Sequence, residues 1–315
     1  MNCVIKILIF LIILSSKSLV LAQDTLYKKS YGNRMIAKTF CFGDNFNISD
    51  PELGLSYVPN SHSGVGIGVW TKYFPFDIAY RHEISFDSKN KYNKISATDM
   101  QLKAYCSFFA GDIYIQKYKG FIETYNDESL NPEEEQYAPD LCVFQFGAVG
   151  HYIFNKDKYS YKAAFNANEC QLQSAGSFVS GISLYCIKIN SDSTLFKGNI
   201  ADLKSWSIGL NAGYAYNFVF KSKFIIGLLG IVGLNGSNYD FKKIIDKKAK
   251  LAPSCNIKMS FWYNFNSWSI GITNCSNFVN QKFVQNFSIN QSTSKSEIIL
   301  LRRLWYKKQK NLTEY

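Results

Sequence analysis

The stretch SIGLNAGYAYNFVF, residues 207–220, alternates without a break. Ile208, Leu210, Ala212, Tyr214, Tyr216, Phe218 and Phe220 share one side; Ser207, Gly209, Asn211, Gly213, Ala215 and Asn217 share the other. A period of two marks a β-strand with one apolar face. The stretch also outlasts the ordinary strand of about 5–6 residues and the about 9–11 that cross a bilayer. DLCVFQFGAVGHYIF, residues 140–154, repeats the pattern, with Leu141, Val143, Gln145, Gly147, Val149 and His151 on its more polar side. In DMQLKAYCSFF, residues 99–109, Asp99, Gln101, Lys103, Tyr105 and Ser107 oppose Met100, Leu102, Ala104, Cys106 and Phe108.

Such strands suit a soluble sandwich, with the apolar face in a core, or a membrane barrel, with that face against lipid. Strand length favours the barrel. So do inner faces rich in Gly, Ser, Asn and Gln, and aromatics gathered at strand ends, as in Trp70–Phe74, Phe261-Trp262-Tyr263 and Leu304-Trp305-Tyr306. Short turns (FPFD, AGD, NKDK, KSK, NFNS) alternate with long polar loops at 86–96, 125–139, 190–205 and 236–250. The expected fold is all-β: a single antiparallel transmembrane β-barrel of about 12 strands, with roughly 10–14 allowed. It would occupy residues 35–306.

The first residues, MNCVIKILIFLIILSSKSLVLAQD, read as a cleaved signal peptide. Lys6 precedes an apolar run, and Val20 and Ala22 set a cut before Gln23. The organisation that follows is signal peptide 1–22, periplasmic lead-in 23–34, barrel 35–306 and polar tail 307–315. KFIIGLLGIVGLNG, residues 223–236, is too short and too rich in glycine for a membrane helix and reads as strand.

The formal net charge is +11, but the basic residues are scattered among loops and build no nucleic-acid module. Beyond Cys3 of the leader, the seven cysteines are odd in number and form no CxxC pair. They read mostly as small apolar residues; neither a metal site nor a cofactor is expected.

Two polar rows face the lumen: Asp112, Tyr114, Gln116 and Tyr118 in GDIYIQKYKG, and Glu169, Gln171 and Gln173 in NECQLQSAGSF. They read as hydrogen-bonded structural groups, with solute contact as the functional alternative. Gln145 and His151 join them from the polar face of 140–154. A buried carboxylate needs a partner, for which Lys103 or Lys162 is placed. Ser174, Ala175, Gly176 and Ser177 read as a turn. They are no nucleophile elbow, because Leu172 stands where the first glycine belongs. NKDK and SAGS are two short connections in succession, so the segment between them either moves the loops to the other side or folds inward. The inward reading requires Glu169 to be buried and hydrogen-bonded.

The stretches YVPNSHSGVGIGVWTKY, DMQLKAY, GDIYIQKYKGFI, residues 139–178 and GYAYNF resemble the domain-of-unknown-function 4421 family. Gln116–Gly120 and Gln173–Ser177 are the most specific parts of the likeness. The resemblance implies an exported bacterial outer-membrane barrel and no activity. The expected surroundings are outer-membrane lipid and the barrel-assembly machinery; whether a small-molecule solute is a partner is left open. The role read from the residues is a narrow passage or a structural barrel. The alternatives are a barrel-embedded hydrolase using His151 with a Ser such as Ser160 or Ser174, and a secreted soluble β-sheet binding protein. Residues 307–315 are polar where such barrels often close on an aromatic.

Overall fold

The computed structural model describes residues 26–31, 35–50, 54–59, 62–71, 74–83, 96–125, 136–195, 200–241, 250–265, 267–282 and 288–304. The expected signal peptide, the polar tail, Trp305 and Tyr306 lie outside these, as do most of the loop at 86–96 and part of that at 125–139.

Among the described residues, fifteen strands and one short helix follow in order. They are β1 (Lys28–Ser30), β2 (Met35–Asp50), β3 (Leu55–Pro59), β4 (His62–Thr71), β5 (Phe74–Glu83), β6 (Ser96–Tyr105), β7 (Phe109–Tyr125) and β8 (Gln136–Ile153). Then come α1 (Tyr161–Asn166), β9 (Glu169–Gln171), β10 (Ala175–Leu195), β11 (Ile200–Phe220), β12 (Phe224–Phe241), β13 (Lys250–Asn264), β14 (Trp268–Lys282) and β15 (Ser288–Leu304). β15 pairs back onto β2, so the antiparallel sheet closes. Closure leaves no free edge, the condition for a sheet that meets lipid.

The ring closes in two ways. Near the short turns it runs through β4, β5 and β6 and has twelve strands; near the long loops β3 joins β2 directly to β7 and leaves ten. The change is made at Gly120. β7 pairs β6 up to Lys119 and β3 from Phe121, and the intervening Gly120 has φ +89° at the register shift. Only glycine takes that backbone without strain. β5 and β6 pair only from Phe76 to Ile78 and from Leu102 to Ala104, then part.

The alternation read from the sequence matches the observed faces. Phe144, Tyr152, Ile208, Leu210, Tyr214 and Phe218 point outward and exposed, while Val143, Gln145, His151, Ser207, Asn211 and Asn217 are buried inside. Three expectations are corrected. The residues at 190–205 are mostly strand, because β10 runs to Leu195 and β11 starts at Ile200. A strand's ladder can outlast its apolar face, so polar residues there do not end it. The turn before β7 is at Cys106–Phe108, not at AGD, where pairing with β6 has already begun. Trp262, expected in an outer girdle, is buried inside.

Candidate functional site: a filled, charge-paired lumen

From the long-loop end inward, the first layer is apolar. Phe46, Ile48, Tyr57, Tyr118, Phe121 and Leu141 pack there as one buried cluster. Phe46 stacks on Tyr118 with ring centres 5.0 Å apart. Below the cap an amide chain crosses the lumen: Gln291 donates to Gln145, and Gln145 donates to Gln116. Gln116 donates to Asp99 at 3.1 Å and to the Tyr118 hydroxyl at 3.0 Å. β8 and β15 lie on opposite sides of the ring, so among the described residues the Gln145–Gln291 contact bridges the lumen from wall to wall.

The next layer is ionic. Arg81 donates to Asp44 at 2.7 Å and also to Glu297, and reaches Asp99 at 3.4 Å. Lys295 pairs with Asp99 and lies 3.8 Å from Asp44; Lys103 lies 4.0 Å from Glu297. Arg81, Asp44, Asp99 and Glu297 have side chains 6–8% exposed, so the network is desolvated and depends on its pairing. Further down, Lys258 meets Asp112 at 2.5 Å, and the Tyr105 hydroxyl donates to the same carboxylate at 2.6 Å. Tyr114 lies over Gly147, and His151, buried, sits near the Lys258–Asp112 pair. The space left among these groups is about 80 Å³, room for a few waters.

The short-turn mouth is stoppered by the segment between β8 and β10, which turns inward. α1 begins at Ser160, whose hydroxyl accepts from the Ala163 amide at 3.0 Å, the ordinary cap of a helix start. It ends at Ala167 in left-handed backbone, φ 48°. The wall grips the helix by its carbonyls: Trp262 Nε1 donates to Ala164 at 2.7 Å, Arg303 Nη2 to Ala167 at 2.7 Å and Asn217 Nδ2 to Ser160 at 2.9 Å. Gly227 lets it press close, since a Cβ there would stand 2.8 Å from that of Ala164.

Behind the helix, Glu169 accepts from the Ser160 hydroxyl and lies 3.5 Å from Lys162 Nζ. The inward reading required a buried, hydrogen-bonded Glu169, and it is 2% exposed. Gln171 accepts from the Ser160 amide and reaches the carbonyls of Tyr27, Lys158 and Gln173. β9 in turn pairs with β1, so residues 28–30, expected as a lead-in, lie across the stopper. Lys28 Nζ donates to the Lys156 carbonyl at 2.5 Å, and burial pulls its pKa below the ordinary lysine value.

Of the expected lumen residues, Asp112, Tyr114, Gln116, Tyr118, Gln145 and His151 lie on the barrel's inner face, and Glu169 and Gln171 in the stopper. Gln173 is exposed instead, because it follows the last paired residue of β9. Ala175, Gly176 and Ser177 are not a turn but the start of β10, paired with residues 217–215 of β11. Ser174 Oγ accepts from the Val219 amide and Ser177 Oγ from the Asn155 amide, both at 2.9 Å, so the motif stitches the strand to its neighbours. Among the described residues His151 is hydrogen-bonded to no serine, and Ser160 is turned toward Glu169 and Ala163. The seven cysteines are free. Sequence reading missed Asp44, Arg81, Lys258, Lys295, Glu297, Trp262 and Arg303. For the charged ones the signal was a charge at an inward position of an apolar alternation, as Lys258 between Ile257 and Met259.

These features define a class: an antiparallel β-barrel, apolar outside, whose interior is filled by its own side chains and a folded-in stopper. The chain belongs to the domain of unknown function family DUF4421, whose model matches residues 22–300. No curated protein matches it. Among solved structures, the outer membrane protease OmpT of Escherichia coli is 10% identical, with 89% of this chain and 99% of that one covered at a TM-score of 0.37. A bacterial polysaccharide outer membrane secretin is 9% identical over 85% of this chain and 98% of its own, TM-score 0.37. The Pseudomonas putida toluene transporter TodX is 6% identical over 87% and 90%, TM-score 0.30. At these values no activity is carried from one protein to another.

Proposed function

We propose that the protein spans the bacterial outer membrane as a closed barrel, exported behind residues 1–22 and folded by the barrel-assembly machinery, with its long loops outward. The outward belt of Ile67, Phe178, Ile182, Leu210, Val232 and Ile272 supports a lipid environment, since a soluble barrel gains nothing from so much exposed apolar surface. At rest it is a structural barrel. The single observation that carries this is the Gln116–Gln145–Gln291 chain spanning the lumen between an apolar cap and a stopper. Small polar solutes would pass only after the stopper and the cap rearrange.

The test is planar-bilayer recording of refolded protein whose heat-modifiable migration shows an intact barrel. The expected trace at low voltage is silent; a steady open conductance from the wild-type chain would sink the closed reading. Release of the native protein from membranes by a carbonate wash would sink the membrane reading itself.

A further inference from the structure

Outside the barrel, at the long-loop edge of the apolar belt, register places Lys117, Phe144, Lys188 and Lys204 side by side on β7, β8, β10 and β11. The row continues to Asp240 on β12, and Lys119 lies two residues further along β7. All four lysines are exposed, and among the described residues none has an ion-pair partner. Asp202, the acidic neighbour two positions from Lys204, accepts from Asn190 at 2.9 Å. Lys188 and Lys204 are directly opposed across adjacent strands, a like-charge pairing that costs stability, with Asp240 in register on the far side of Lys204. The rows below are apolar: Ile115, Phe146, Cys186 and Trp206, then Ile113, Ala148, Leu184 and Ile208. The lysines therefore stand at the level of lipid headgroups.

We propose that this row binds the headgroup of a bisphosphorylated disaccharide glycolipid in the long-loop leaflet. Lys188 and Lys204 form a clamp for one phosphate. Lys117 lies two strand spacings from Lys188, about 10 Å, and takes the second. The Phe144 ring between them offers an apolar face to a sugar ring, which a headgroup with a single phosphate and no sugar would leave unused. Acyl chains then run down past Trp206 and Ile208. The site rests on the membrane reading above.

The experiment is native mass spectrometry of the full barrel in detergent with three probes at equal concentration: the bisphosphorylated disaccharide lipid, its monophosphorylated form and phosphatidylglycerol. The wild type is expected to retain the first at least tenfold better than K188Q/K204Q does. K117Q alone should erase the preference for two phosphates over one, and K221Q/K223Q at the opposite mouth should change nothing. Equal retention by wild type and K117Q/K188Q/K204Q, or equal retention of all three lipids, overturns the site. Heat-modifiable migration of the same samples separates the two readings: a wild type without it refutes the membrane barrel, whereas modifiable variants with unchanged binding refute only the lipid site.

Discussion

Arg81 and Asp99 meet across the part of the wall where β5 and β6 exchange no backbone pairs. Pairing ends at Ile78 opposite Leu102, and three residues past Ile78 the guanidinium reaches Asp99 while also holding Asp44 and Glu297. Side-chain ions there take over from a backbone ladder.

Arg81→Ala is therefore expected to leave three buried carboxylates under-compensated and to destabilise the barrel by about 3–5 kcal/mol. Arg81→Lys should recover only part, since one ammonium cannot present the planar fork that serves three acceptors. The temperature at which heat-modifiable migration is lost reads both, and a wild-type value for the alanine variant would contradict the account.

Glu169→Ala removes the acceptor of the Ser160 hydroxyl and the partner of Lys162. The reporter is Cys170, in a chain whose other cysteines are alanine. Burial pushes its thiol above the ordinary value, so the reactive thiolate is scarce at neutral pH and increases only as pH is raised. Alkylation should thus climb late with pH in the otherwise unchanged chain. Glu169→Ala removes a neighbouring negative charge and so moves the profile to lower pH by itself. Loosening of the stopper is read instead as a several-fold faster rate on the high-pH plateau, where the thiol is fully ionised. An unchanged plateau rate would count against a stopper held by this carboxylate.

Gly120→Val forces a branched side chain onto φ +89° at the point where β7 changes partners. The expected cost is about 1–3 kcal/mol, seen as a smaller heat-modifiable fraction after refolding. Gly120→Asn should cost less, because Asn tolerates positive φ better.

Trp262→Phe keeps an aromatic ring in place but leaves the Ala164 carbonyl without its donor. A loss of about 1–3 kcal/mol follows for a buried acceptor left unmet. It should appear first as faster Cys170 alkylation, with the barrel's own melting little changed. Global unfolding at unchanged Cys170 reactivity would place Trp262 in the wall's stability and not in the stopper's.

The wall was readable because its information is local. Alternation over residues 140–154 and 207–220 names the inner face without knowledge of any partner. Two short connections in a row left two readings for the segment of Glu169, loops changing sides or an inward fold. The inward one is observed, although SAGS, one of the two connections, is the start of β10 and not a turn. The ionic network was not readable, since Arg81, Asp99 and Glu297 meet only once strand order, register and closure are known. Trp262 shows the same limit from the other side: a strand-end aromatic looks alike whether it faces lipid or grips a helix carbonyl. The helix at 161–166 was hidden by its brevity and held by tertiary contacts.

A barrel's width grows with its strand number, so twelve strands at the short-turn mouth and ten at the other make a tapered bore. The stopper sits in the wide end, and β1 crosses it from the same side. A cork in a cone leaves only by the broad opening. Traction on the N-terminal segment would therefore draw the stopper toward the short-turn side, the direction in which the bore widens.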